Sequence, residues 1–276
     1  MSLKRALYFP VKPEPLRMQP GLFRFGTDFG NGADDQRYFP RDDTSARYLS
    51  EKARVLAAFP GRNARVPSTP EHERCLEAAT RWFVQALAQE GLEAAARTPL
   101  ERLGEELVED FVVLQRDDAG ADRAVCVNAC FPSGWRPEQL LGQSFAQIHG
   151  AIPGITSLLS KSRSLVDAMV ERGPYVRFVW TISADDELDH HPEQGRRAAW
   201  SPGTARGYLR VERQTTVPLP EVDASIFLIR TYLYGFDELP PAERATLATA
   251  LLQMPAEILR YKRLQAALPR ALELLA

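Results

Sequence analysis

The chain has 276 residues, 45% apolar and 25% charged, the composition of a globular protein with enough length for a substantial core. Thirty-four Lys and Arg stand against 36 Asp and Glu, and the resulting charge of −2 leaves no electrostatic footprint for nucleic acid or an anionic membrane. Met1 to Pro15 meets charged residues and prolines before an apolar run can build, and no stretch approaches the ~20 apolar residues of a membrane helix, so a cytoplasmic location is expected.

Residues 1–45 are rich in Pro, Gly, Phe and Asp without a sustained period, which predicts a segment wrapped over a domain surface. A first helix is predicted over 42–58 and is stopped by Pro60-Gly61. The next runs from the Ser68-Thr69-Pro70 cap to Gly91, with Cys75, Leu76, Ala79, Trp82, Phe83, Ala86 and Leu87 forming one apolar stripe. Phe111–Leu114 and Ala124–Phe131 flank a polar, glycine-containing turn and predict a hairpin. A helix follows, its buried face marked by Ile155, Leu158, Leu159, Leu165, Val166, Met169 and Val170, and Gly173-Pro174 ends it. Three further strands are predicted over Tyr175–Ile182, Tyr208–Val217 and Ile226–Tyr234. The tail from Pro240 is helical and broken at Pro255 and Pro269. Hairpin-linked strands with helices to one side give an α+β class, an antiparallel sheet with flanking helices, in one domain spanning 1–276 whose helices close it over 240–276.

The three cysteines, Cys75, Cys126 and Cys130, are too few and too poorly spaced for a disulfide framework or a metal cluster, and are expected as small buried hydrophobes. There is no nucleophile elbow, no P-loop, no H-E-x-x-H and no dinucleotide-binding glycine fingerprint.

Buried charge marks the candidate site. A period of two places Arg213 with Leu209, Val211, Thr215 and Val217, and Arg230 with Ile226, Leu228, Tyr232 and Tyr234. Each guanidinium needs an anion or water: an internal carboxylate such as Glu212 or Asp223, an edge face in solvent, or a bound dianion such as a phosphate or haem propionates. His149 lies between Phe145-x-x-Ile148 and Gly150-Ala-Ile-Pro-Gly, at the edge of an apolar segment; that suits either an axial haem ligand or a satisfied core histidine. His72 is expected at the surface, and His190 and His191, in an acidic loop, are read as solvated, a metal pair being the alternative.

Several blocks in order resemble the haem-dependent oxidative N-demethylases and their relatives of unknown function. They are Asp35-x-x-Tyr38, Phe131-Pro-Ser-Gly-Trp135, Leu141-Gly142, Ile148-His149, Ile152-Pro153-Gly154, Arg177-Phe-Val-Trp180, Leu209-Arg-Val-Glu212-Arg213-Gln-Thr215 with Leu219-Pro220, Ile226-Phe-Leu-Ile-Arg230-Thr-Tyr232, and Tyr261-Lys262. The resemblance implies a PAS-like sheet carrying haem b, and oxidative removal of a methyl group from a small amine by dioxygen and electrons from a partner reductase. It implies His149 as iron ligand, Trp180, Arg177, Arg213 and Arg230 as haem-pocket residues, and Arg213, Arg230, Tyr232 and Glu212 as candidates for catalysis. Two departures stand out: Ala151-Ile152-Pro153 replaces Pro-Val-Pro, and Val179 replaces the asparagine of Arg-x-Asn-Trp. The alternative reading is a non-catalytic haem-binding or gas-sensing protein on the same fold.

Overall fold

The computed structural model describes residues 6–16, 21–92 and 100–276. In chain order its elements are β1 (Phe23–Arg24), α1 (Ser45–Ala58), β2 (Asn63–Arg65), α2 (Pro70–Gln89), α3 (Leu100–Glu106), β3 (Asp110–Arg116), β4 (Asp122–Asn128), α4 (Phe145–His149), α5 (Thr156–Leu159), α6 (Ser162–Glu171), β5 (Tyr175–Ser183), β6 (Tyr208–Leu219), β7 (Ala224–Gly235), α7 (Pro241–Leu252), α8 (Ala256–Tyr261) and α9 (Leu268–Leu275). No helix among the described residues is long and apolar enough to cross a membrane. Outside residues 1–5 and 17–20, which are not among the described residues, the first 44 residues form only the two-residue β1.

The strands make one antiparallel sheet in the order β1-β5-β6-β7-β3-β4-β2. Side chains alternate across it, so the register fixes two faces. On the first, Phe178 opposes Arg213 and Arg213 opposes Arg230, while Trp180 opposes Val211 and Val211 opposes Tyr232. This face packs against two sets of helices. Cys75, Leu76, Ala79 and Phe83 of α2 meet Phe111, Ile226 and Leu228, whereas Leu247, Leu251, Ile258 and Leu275 of the C-terminal helices meet Trp180, Leu209 and Val211. The α2 stripe forms because Thr69 Oγ1 accepts the His72 N–H at 3.1 Å and caps a helix whose apolar residues recur every three to four positions.

Helices cover the second face as well, contrary to the one-sided arrangement read from the sequence. The topology requires it: β4 and β5 are separated in the sheet by β3, β7 and β6, so the connection 129–174 must cross the sheet to join them. It crosses over Val112, Leu114 and Phe227, against which Ile148, Val166 and Val170 pack. The single helix expected over 155–170 is two, α5 and α6. Between Leu159 and Leu165 no apolar residue occurs for more than a turn, and a continuous helix there would have nothing to bury. Leu158, expected on its buried face, is not among the described side chains. The last break falls before α9, with Pro269 inside its first turn, where the missing N–H costs nothing.

Candidate functional site

The crossing connection arches away from β5, β6 and β7 and leaves a cavity of about 350 Å³ beneath it, within the ~300–1,000 Å³ typical of small-molecule sites. Arg177 and Val179 of β5, Glu212 and Gln214 of β6, and Phe227 and Ile229 of β7 form the floor; Trp135, Phe145, Ile148, His149 and Met169 form the roof. Tyr261, Lys262 and Arg263, where α8 ends, close one side.

His149 sits at the end of α4, a five-residue helix that is held by a reciprocal cap: Ser144 Oγ accepts the Gln147 N–H at 3.2 Å, and Gln147 Oε1 accepts the Ser144 N–H at 2.8 Å. The His149 Nδ1 lies 2.8 Å from the Phe145 carbonyl and the ring stacks on Phe145 at 4.2 Å. A carbonyl only accepts, so Nδ1 carries the hydrogen and Nε2 is left with its lone pair. Burial pushes the imidazole below its ordinary pKa, outweighing the Phe145 carbonyl, which acts the other way. The result is a neutral, oriented histidine with one basic nitrogen, the state in which histidines ligate metals.

The cavity is strongly unbalanced in charge. Arg177, Arg197, Arg210, Lys262 and Arg263 line it, and Glu212 is the only carboxylate among its lining residues. Arg210 is fully buried and its terminal nitrogens donate to the carbonyls of Leu188 (3.0 Å) and Phe131 (2.7 Å), which fixes it in place without neutralising it. Lys262 Nζ donates to the Trp180 carbonyl at 2.8 Å and has no carboxylate partner among the described residues; burial brings its pKa down to about 8. The Arg177 Nε is buried without a hydrogen-bond partner, and burial lowers that pKa too. Glu212 accepts from Gln214 Nε2 at 2.9 Å through one oxygen.

Of the residues singled out in the sequence, the structure brings His149, Arg177 and Glu212 to this cavity. Trp180 reaches it only by its backbone, because its ring is in the core on the first face. Arg213, Arg230 and Tyr232 also lie on that first face, across the sheet from the cavity. Arg213 (2% exposed) donates to the Asp35 carbonyl at 3.3 Å and lies over the Phe25 ring, while Arg230 (1% exposed) pairs with Asp42 at 2.9 Å over the Tyr48 ring. Neither arginine pairs with Glu212 or Asp223; Asp223 is bound by Arg116 instead. Tyr232 packs edge-on against Tyr8. His190 and His191 are buried, not solvated, at 2% exposure each. Their Nε2 atoms face Asp185 (3.0 Å) and Glu138 (3.2 Å), and no group of three metal-ligating side chains forms among the described residues.

A single free imidazole nitrogen, apolar and aromatic walls, and an excess of cations fit a haem, whose macrocycle brings four iron ligands and whose propionates bring two negative charges. Of the four remaining cationic lining residues, Arg210 and Lys262 stood in the blocks that carry the family resemblance but were assigned no role, and Arg197 and Arg263 carried no pattern in the sequence. Residues 70–272, nearly three quarters of the chain, match the sequence pattern of the family described as haem-dependent oxidative N-demethylase, alpha subunit-like. That match, over almost all of the sheet and every wall of the cavity but Leu22, shows that the chain belongs to the haem-dependent oxidative N-demethylase alpha subunit-like family.

Proposed function

We propose that this chain holds haem b through His149 Nε2 and removes a methyl group from a small methylated amine, with dioxygen as oxidant and two electrons from a partner reductase. The observation that carries this reading is the His149 geometry: Nδ1 is committed to the Phe145 carbonyl, which leaves the lone pair of the imidazole Nε2 available at the cavity. The antiparallel sheet, with its first and last long strands (β3 and β7) paired and a helical crossover covering one face, supports a PAS-like reading of the fold.

When bound, haem supplies dioxygen activation: one oxygen atom enters an N-methyl C–H bond and the other leaves as water, with two electrons and two protons consumed. The N–CH₂OH product then breaks its C–N bond, the hydroxyl proton goes to nitrogen, and formaldehyde and the demethylated amine are released. Arg197 and Arg263 lie within electrostatic reach of each other, and Arg263 is exposed at the cavity mouth, a position suited to propionates. Glu212, held by Gln214, is the group suited to an ammonium, since the substrate amine is protonated near pH 7. Phe145, Phe227, Ile229 and Trp135 exclude water from the space between.

The test is the absorption spectrum of the chain supplied with haem, wild type against His149→Ala. The wild type is expected to show a stoichiometric Soret band that shifts on reduction and carbon monoxide addition, and the variant to lose or alter it. Formaldehyde release from methylated amines with a reductase present then separates turnover from binding; haem-loaded protein that releases none with any methylated amine would overturn the catalytic reading.

A further inference from the structure

The five cations of the cavity fall into two groups. Arg197 is within electrostatic reach of both Arg210 and Arg263, and of the three only Arg263 is exposed. Arg177 and Lys262 form the second group, near each other and near Glu212. The sheet register places Arg177 opposite Gln214 and Val179 opposite Glu212, so Arg177 and Glu212 are diagonal neighbours on one face, about 7–8 Å apart at the backbone. Extended side chains can close that gap, yet Arg177 forms no ion pair with any carboxylate among the described residues. Lys262 reaches the same place from the side, anchored on the carbonyl of Trp180, the residue after Val179. Two cations and one carboxylate thus converge without satisfying each other, and two propionates at the mouth leave this inner group unbalanced.

We propose that the methylated amine taken by this cavity is an N-methyl α-amino acid, its carboxylate held by Arg177 and Lys262 and its ammonium by Glu212. The assignment rests on the haem reading above and names its substrate class. A simple alkylamine carries only a positive charge, and so would add to the inner group's excess. A zwitterion supplies one charge of each sign at adjacent atoms, which matches a carboxylate and two cations set around one small space. Val179, standing where the family pattern has asparagine, keeps the floor between them apolar.

Binding to the haem-loaded full-length chain tests this without turnover. N-methylglycine and dimethylamine are titrated in parallel, by perturbation of the Soret band and by calorimetry. Wild type is expected to bind N-methylglycine about 10- to 100-fold tighter, the worth of one or two charge-assisted hydrogen bonds. In Arg177→Gln and in Lys262→Met that preference is expected to shrink towards parity, with haem stoichiometry unchanged. Dimethylamine binding as tightly as N-methylglycine to wild type overturns the assignment, whatever the variants do. Loss of haem in Arg177→Gln or Lys262→Met, with the fold retained by circular dichroism, also overturns it, because the group then serves the propionates. A wild type that takes up no haem is recognised before any amine is added and removes both this assignment and the reading beneath it.

Discussion

Arg230 shows how a buried charge can be structural. Its guanidinium is 1% exposed, pairs with Asp42, lies over Tyr48, and is the main group opposing the burial that raises Glu109 above the usual carboxylate range. Arg230→Met leaves Asp42 and Glu109 without that cation, and is expected to lower the unfolding free energy by about 3 kcal/mol in urea titrations. Haem stoichiometry and Soret position should stay as in wild type, since the sheet separates this residue from the cavity. The sequence draws attention to Arg213 and Arg230 because each interrupts an apolar face. On the same strand Arg210, Glu212, Gln214 and Thr216 alternate with those apolar residues, which is also how a solvated strand face reads. Only the crossing connection 129–174 turns that polar face into a cavity floor, and nothing local to β6 reports it. The half-buried place of His149 beside apolar residues was legible in the sequence, though not its role, whereas the burial of His190 and His191 depends on distant partners, Glu138 and the backbone at Pro132.

At the level of elements, α4 is too short to be stable by propensity and depends on its cap. Ser144→Ala removes the acceptor for the Gln147 N–H and is expected to cost about 1 kcal/mol locally. Because α4 carries His149, that cost should appear as haem dissociation roughly fivefold faster to a haem-scavenging globin, with little change in global melting. The elements legible in the sequence were those with a sustained period: α1, α2, the β3–β4 hairpin, and β5 to β7. The ones that escaped, β1, β2, α3 and α4, span two to seven residues, too few for any periodicity to accumulate.

For the whole molecule, acid stability should be governed in part by His190. Burial, against the pull of Asp185, holds its folded pKa at about 4, below the ordinary 6.5. The unfolded chain therefore binds a proton near pH 6.5 that the folded chain resists down to about 4. Stability is complete above 6.5 and falls as the pH drops through that window, by roughly 3 kcal/mol at its end. His190→Asn removes this contribution, so the fall in melting temperature between pH 7 and pH 4.5 should be shallower in the variant than in wild type. His190 also pairs by backbone with Ser133 at the cavity wall, so wild-type haem loss should accelerate over the same range.

The side wall at Tyr261–Arg263 ties completion of the cavity to the order of synthesis. The ribosome makes every strand of the sheet, and the whole of the connection over it, before it reaches Lys262. A nascent chain halted at β7 has His149 and a floor but lies open on the flank that Lys262 closes. On the haem reading, a cofactor offered at that stage would meet a cleft wet on one side, and its retention would begin only once the C-terminal helices have left the ribosome and folded back.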